Sequence, residues 1–268
     1  MAWIIFCFGR CLLAGIGWRK RVKKYLFIMF AIVWAVSGWM KDQLPERPGA
    51  VAGLMNDPIQ TPARVKPFMT QVGGERYEIT PRYDYEQWGM VVSYHHSDSW
   101  MDRVHEKWAD NLNIKDLCVI WGAANMDPSI YKNVEFSSGQ WTCYTWIDDP
   151  VVYNRFDGVR LANNHMLADD PEIAEAILDS NYGDIVHIKG YLSNYRGRKI
   201  TRGTSITRTD TGNGACETIY VTDFSIIHDA NKDWDMLYRW SSYLLLALIS
   251  WVLFFGSLPI LRDLLRRE

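Results

Sequence analysis

The residues of this chain best suited to chemistry fall between positions 95 and 228. All six histidines lie there, at 95, 96, 105, 165, 187 and 228, together with three of the five cysteines, Cys118, Cys143 and Cys216. Cys216 follows Thr211-Gly212-Asn213-Gly214-Ala215, and a thiol beside a glycine-rich turn, taken with His165, suggests a Cys–His nucleophile. Such a nucleophile needs a base within hydrogen-bond reach and a third group that orients the base. The sequence shows neither, and a buried structural cysteine is the plainer expectation. His95-His96-Ser97-Asp98 with His105 suggests a metal site, because imidazole and carboxylate suit zinc or copper. Adjacent histidines on a strand point to opposite faces, however, so His95 and His96 share an ion only across a bulge or loop. A solvated rim is the simpler reading, and no HExxH or CxxC pattern occurs.

Other polar clusters have structural explanations. Asp210-Thr211-Gly212-Asn213-Gly214 has the glycine content of a phosphate cradle but is not followed by Lys-Ser/Thr, so it reads as a tight connection, and no cofactor is expected. Asp148-Asp149 and Asp169-Asp170 precede prolines, which fits turns and helix caps better than acid–base catalysis. Asn163-Asn164-His165 reads as a polar loop leading into the next helix. Three cysteines in an oxidising space allow three bridges with one thiol left over; Cys118 and Cys143, on strands able to be neighbours, form the first choice.

Aromatic content is high, with 13 Trp, 14 Tyr and 10 Phe. Trp88, Trp100, Trp108, Trp121, Trp141, Trp146 and Trp234 are too many for one small core. Core filling must claim most of them, yet Trp88, Trp100, Trp108, Trp141, Trp146 and Trp234 stand as interface candidates, since Trp anchors protein contacts and stacks on sugars.

Two uncharged apolar runs frame this region, Tyr25–Met40 and Trp240–Leu261, with basic residues on their outer sides. The second has 22 residues, enough at about 1.5 Å per residue to cross a hydrocarbon layer of about 30 Å. The first, with 16, reaches that length if Lys24 and Lys41 extend to the interface. Eighteen residues precede the basic cluster, which favours a retained anchor over a cleaved signal peptide. Residues 1–40 carry +6 and residues 262–268 carry +1, so with −2 overall the intervening stretch carries −9. Lys/Arg excess marks the cytoplasmic side: Arg19, Lys20, Arg21, Lys23, Lys24, Arg262, Arg266 and Arg267 are expected at the membrane interface beside anionic lipids. Both termini are then cytoplasmic at a bacterial inner membrane, and an acidic, periplasmic main domain excludes nucleic acid as partner. Met1–Trp18, apolar apart from Arg10, is expected to lie as a helix in the interface or in the membrane.

The expected organisation is an apolar and basic segment at 1–24, a transmembrane helix at 25–40, a Pro-rich linker at 41–76, a domain at 77–227, a short linker at 228–239, a second transmembrane helix at 240–261 and a tail at 262–268. Prolines at 45, 48, 58, 62 and 67 motivate the linker. Within the domain, Trp88–Tyr94, Leu117–Trp121, Gln140–Ile147, Ile185–Tyr195 and Glu217–Ile227 read as strands. Asp170–Leu178 reads as a helix, capped by Asp170, started by Pro171 and turning Ile173, Ile177 and Leu178 inward. The class is α+β, mainly β, and a helix between the third and fourth of five strands is the order of an oligonucleotide/oligosaccharide-binding (OB) barrel.

GDIVHIKGYL (183–192) and ACETIYVTDFSII (215–227) resemble the last two strands of small OB-like barrels, and DLCVIWG (116–122), LANNHM (161–166) and TRTDTGNGAC (207–216) resemble an uncharacterised bacterial family of membrane-anchored proteins. That resemblance implies a small OB-like barrel in the periplasm flanked by two transmembrane helices, and no activity. Sparse polar constellations and surplus tryptophans favour a non-enzymatic accessory or scaffold subunit of a larger inner-membrane assembly. Its partners would be lipids, other integral membrane subunits and a periplasmic protein, with a homo-oligomer also allowed. The alternative is a periplasmic ligand- or metal-binding module, or a hydrolase acting on envelope glycans, which convergent His, Asp and Cys side chains would favour.

Overall fold

A computed structural model describes residues 24–97, 108–139, 142–212 and 215–265, the last eleven by backbone alone. The chain divides into two compact units, one formed by 1–41 with 232–268 and the other by 42–231. The first unit opens with helix α1, Lys24–Met40.

The second unit is mainly β. It comprises β1 (Ile59–Pro62), β2 (Phe68–Val72), the 22-residue β3 (Glu75–His96), β4 (Asn113–Ile120), α2 (Pro128–Tyr131), β5 (Glu135–Ser138), β6 (Cys143–Trp146), α3 (Pro150–Arg155), β7 (Leu161–Leu167), α4 (Pro171–Asp179), β8 (Ile185–Arg196), β9 (Thr201–Arg202) and β10 (Glu217–His228). Within the large sheet β3 pairs with β4, β4 with β7, β7 with β10, β10 with β8, and β8 returns to β3, so the pairing closes on itself. Every step is antiparallel except β7 with β10, which is parallel. The path from β7 to β8 passes through α4. Beyond this cycle, β1 and β2 pair with β3, and β9 with β8. The hairpin β5–β6 forms a separate two-stranded sheet.

Alternation explains the core. Inward residues of successive strands, including Val91, Leu117, Val119, Met166, Val186, Ile188, Leu192, Ile219 and Val221, form one buried cluster. Each such aliphatic side chain contributes about 1.5–3 kcal/mol of burial. Ile177 of α4 joins that cluster, with Ile173 and Leu178 packed on its margin. The helix forms where expected: Asp170 accepts from the Glu172 N–H, and Pro171 occupies the first turn. Its last carbonyls are satisfied by a buried lysine, Lys115, whose Nζ donates to Leu178 O at 3.1 Å and Ser180 O at 2.6 Å. Asp127 and Asp149 cap α2 and α3 in the same Asp-Pro manner.

Several boundaries differ from those expected. Residues 42–76 belong to the β unit and carry β1 and β2. Proline is tolerated there because both strands lie outside the closed cycle, where a missing N–H disrupts no central ladder. The loop expected at Asn163-Asn164-His165 is instead strand β7, buried on both faces between β4 and β10. Its polar side chains find partners across the sheet, so polarity there does not mean solvent. Helix α5, Lys232–Leu265, starts eight residues ahead of Trp240 and absorbs most of the second expected linker, with Asp233 and Asp235 favourably placed in its first turn.

In the helical unit, Trp34 stacks on Tyr238 at 5.9 Å, and Gly38 leaves room for that ring, 3.0 Å from where a Cβ would stand. Among the described residues, α5 is the one helix long and apolar enough to cross a membrane, over Lys232–Phe254. Helix α1 is apolar but, at about 1.5 Å per residue, shorter than such a span.

Gly190 on β8 tests the closure. A Cβ there would run into the Tyr220 carbonyl of β10, a backbone atom with nowhere to go. Gly190→Ala should therefore lower unfolding stability by about 2–3 kcal/mol in denaturant titration. Gly158→Ala, with nothing within 4 Å, should stay within about 0.5 kcal/mol of the parent.

Candidate functional site

Three strands bring together the groups that the sequence scatters. On β4 and β7, Asp116 lies directly opposite His165, and the parallel β10 runs beside β7 with Glu217 opposite Asn164. Cys216, one residue before that last pair, therefore falls next to Asn163 on the side of the sheet that His165 occupies. Asp116 Oδ1 stands 2.7 Å from His165 Nδ1 and also accepts from Asn113 Nδ2 at 2.9 Å. Both members of the pair are buried, Asp116 completely and His165 to within 2%. The thiol of Cys216 accepts from Asn163 Nδ2 at 3.8 Å, and the side chains of His165 and Thr142 interact with it electrostatically. Its backbone is held by the Ser205 N–H at 3.0 Å. The chain reaches it through Gly212, whose φ of 84° suits glycine.

Electrostatics polarise this trio. Burial alone would raise Asp116, but the charge and hydrogen bond of His165 and the donation from Asn113 outweigh it and hold the carboxyl below its ordinary range. Burial would lower His165, yet Asp116 and the contact with Cys216 push it up to about 9. Burial would raise Cys216, and the imidazole of His165, with Asn163 and Thr142, brings it below the usual thiol value. A charged imidazolium between a carboxylate and a thiol is the arrangement that favours the thiolate over the thiol.

A disulfide adjoins the site. Cys118 of β4 and Cys143 of β6 are bridged, with Cα atoms 5.8 Å apart. Asn163 lies between sulfurs: its Oδ1 is 3.4 Å from Cys143 Sγ and its Nδ2 is 3.8 Å from Cys216 Sγ. On the opposite side of the wall, facing inward, Glu217 pairs with Arg208, which also donates to Tyr85 Oη at 3.2 Å. Burial, only partly offset by Arg208, raises Glu217 to about 7.

The remaining candidates are dispersed. His95 and His96 end β3 at successive positions, while Asp98 and His105 lie outside the described residues. Among the described residues no group of three metal-ligating side chains occurs. Trp88 stacks on His187 at 4.2 Å, and Trp108 packs half-buried against the cluster of Tyr77, Leu112 and Tyr195. Trp146 is 68% exposed, and Trp234 is half-buried in α5; Trp100 and Trp141 lie outside the described residues. Trp121 is core, its indole donating to Asp57 at 3.1 Å. Lys24 is exposed at the start of α1; Arg19, Lys20, Arg21, Lys23, Arg266 and Arg267 are outside the described residues, and Arg262 falls where only backbone is described. Sequence reasoning missed Asp116, Asn163 and Thr142. The available signal was Asp116 itself, an acid heading the apolar run Leu117–Trp121 with no turn or cap to explain it.

Comparison with family models, curated proteins and solved structures finds no match to this chain. The trio makes its own prediction. Alkylation of Cys216, followed by peptide mass spectrometry, should titrate below the ordinary thiol range, and Asp116→Asn should slow it about tenfold at pH 7, one pKa unit. Asp116, held low, contributes stability above about pH 4 that is lost on acidification. His165, held high, contributes stability below about pH 6.5 that is lost as the pH rises through about 9. The stability gap between the parent and Asp116→Asn should thus peak between those limits and shrink on the alkaline side.

Proposed function

We propose that this chain is a membrane-tethered, OB-like domain that performs nucleophilic thiol chemistry at Cys216. The observation that carries the reading is His165 held between Asp116, in a buried contact of 2.7 Å, and the half-buried thiol of Cys216. Cys216 is the nucleophile. His165 takes its proton and returns it to the leaving group, and Asp116 keeps the imidazole oriented and charged. Attack on an acyl carbon gives a thioester that water then cleaves, with no cofactor required. Glycosidic bonds suit this site less, because their hydrolysis uses two carboxylates flanking the bond. Ester, thioester or amide groups of envelope components fit the thiol better.

The barrel reading is supported by the closed order β3-β4-β7-β10-β8, its single parallel pair, and α4 between the third and fourth strands of that set. A periplasmic address at a bacterial inner membrane, with two spans and cytoplasmic ends, is supported by several features. These are the length of α5, the apolar α1, the flanking basic residues, the acidic main unit, and a disulfide of the kind that persists in oxidising compartments.

Incubated with an activated thioester, the full-length protein in mild detergent should release a burst of about one leaving group per chain. Cys216→Ser should lose at least about a hundredfold of the rate, and retention of the parent rate by Cys216→Ser would overturn the proposal.

A second reading, an accessory or scaffold subunit docking a periplasmic partner and integral membrane subunits, is favoured by one specific observation. Tyr144 and Trp146 on β6 and Tyr153 on α3 are more than half exposed, an unusual density of aromatic anchors beside the disulfide. On that reading, proteins co-purifying from native membranes with the parent chain should be reduced severalfold in Trp146→Ala, with its thermal unfolding unchanged.

A further inference from the structure

Cys118 on β4, Asn163 on β7 and Cys216, the residue just before β10, line up in one row across the sheet. Cys118 is the direct partner of Asn163, and Asn164 is the direct partner of Glu217, which places Cys216 on the far side of Asn163. Two strand spacings separate the backbones of Cys118 and Cys216, about 10 Å, more than the roughly 7 Å that a disulfide spans. These two cysteines therefore cannot bridge each other. Cys143 arrives from a different sheet and lies over the middle of the row. Its sulfur is bonded to Cys118 and sits 3.4 Å from the Asn163 carboxamide, whose other end is 3.8 Å from the Cys216 sulfur. A second link agrees with that placement, since the side chain of Thr142, the residue before Cys143, interacts electrostatically with the Cys216 thiol.

We propose that Cys143 is a shared disulfide partner, exchanged between Cys118 and Cys216. The inference rests on the nucleophilic reading of Cys216 and extends it from an external substrate to an internal one. The Cys216 thiolate attacks Cys143 Sγ, forming a Cys143–Cys216 bond as the Cys118–Cys143 bond breaks. The electron pair of the broken bond leaves on Cys118 sulfur, which takes up the proton held on His165. One thiol and one disulfide are present before and after, so no oxidant or reductant enters. His165 is diagonal to Cys118 across the β4–β7 register, about 7–8 Å away on the same face of the sheet, so the proton crosses that short gap to the departing sulfur. The consequence is a two-position switch. With Cys143 on Cys118 the nucleophile is exposed as a thiol, and with Cys143 on Cys216 it is masked, Cys118 holding the buried thiol instead. The reverse exchange, attack of the Cys118 thiolate on Cys143 Sγ with Cys216 sulfur leaving, returns the switch with the same balance of one thiol and one disulfide.

The test uses full-length protein in detergent, equilibrated over a series of glutathione ratios, acid-quenched, blocked with N-ethylmaleimide and digested without reductant for mass spectrometry. The parent chain should yield both 118–143 and 143–216 linked peptides. Cys118→Ser should shift its bridge almost wholly to 143–216, and Cys216→Ser should retain 118–143 alone. Exchange is overturned if the parent yields no 143–216 peptide at any ratio, an arm that needs no substitution. It is also overturned if folded Cys118→Ser leaves both Cys143 and Cys216 as thiols under conditions that fully oxidise the parent. The alkylation rate of Cys216 separates the two levels of the argument. A fast Cys216 without the 143–216 bridge sinks exchange alone, whereas a Cys216 with ordinary thiol reactivity sinks the nucleophile reading beneath it.

Discussion

The buried pair of Asp116 and His165 constrains everything around it. Two charges 2.7 Å apart inside a sheet wall each forfeit several kcal/mol of hydration, and their attraction returns that only with good geometry and further hydrogen bonds. Asn113 supplies one such bond, yet Asp116 Oδ2 has no partner among the described residues. A well-packed apolar pair would stabilise the wall at least as well. What the ion pair adds is an imidazolium held charged at neutral pH and aimed at a thiol. A local choice that costs stability where a cheaper one exists is the kind of inconsistency that marks a working site.

Register makes the pair, and the rest of the sheet makes the register. A one-residue slip of β4 against β7 would turn Asp116 or His165 to the inner face, among Leu117, Val119 and Met166. The bulge between Asn113 and Lys115 sets the phase from which Asp116 faces outward while Leu117 and Val119 face the core. Other buried charges of the unit serve structure. Lys115 ends α4 by binding its last carbonyls. Asp184, raised to about 7 mainly by burial, accepts the N–H groups of Asn181 and Ala230 where β8 begins. These groups are satisfied by backbone and touch no nucleophile, and that separates them from the Cys216 trio.

Local signals in the sequence were strong wherever structure is local. Asp170-Pro171 and the spacing of Ile173, Ile177 and Leu178 define α4, and the alternation of Val186, Ile188 and Leu192 defines β8. The α+β, mainly β class follows from such segments. What failed was inference across distance. Asp116 and His165 are 49 residues apart, and nothing near either one announces the other. LANNHM reads as a loop because polar residues usually mean water. Here the neighbours on either side supply their partners, so a central strand carries the composition of a turn. The Pro-rich stretch before Tyr77 misled for the opposite reason: proline removes one donor, and a strand outside the closed cycle does not need it.

The disulfide ties the chemistry to a place. Hairpin β5–β6 is a separate sheet, joined to the wall by the bridge from Cys143 to Cys118 and by the Ser93–Ser138 hydroxyl contact at 2.7 Å. A four-residue-per-strand hairpin has little stability of its own, so its position over the site rests on that bridge together with Phe136, which packs into the neighbouring buried clusters. Reducing conditions would open the bond and remove the covalent tie that holds Thr142 and Cys143 near Asn163 and Cys216. The trio around Cys216 is thus built beside a covalent tie of the kind that persists in an oxidising space. The proposed address, with the acidic body outside and the basic flanks inside, would place that tie in such a space, so charge and redox chemistry support one reading from independent residues.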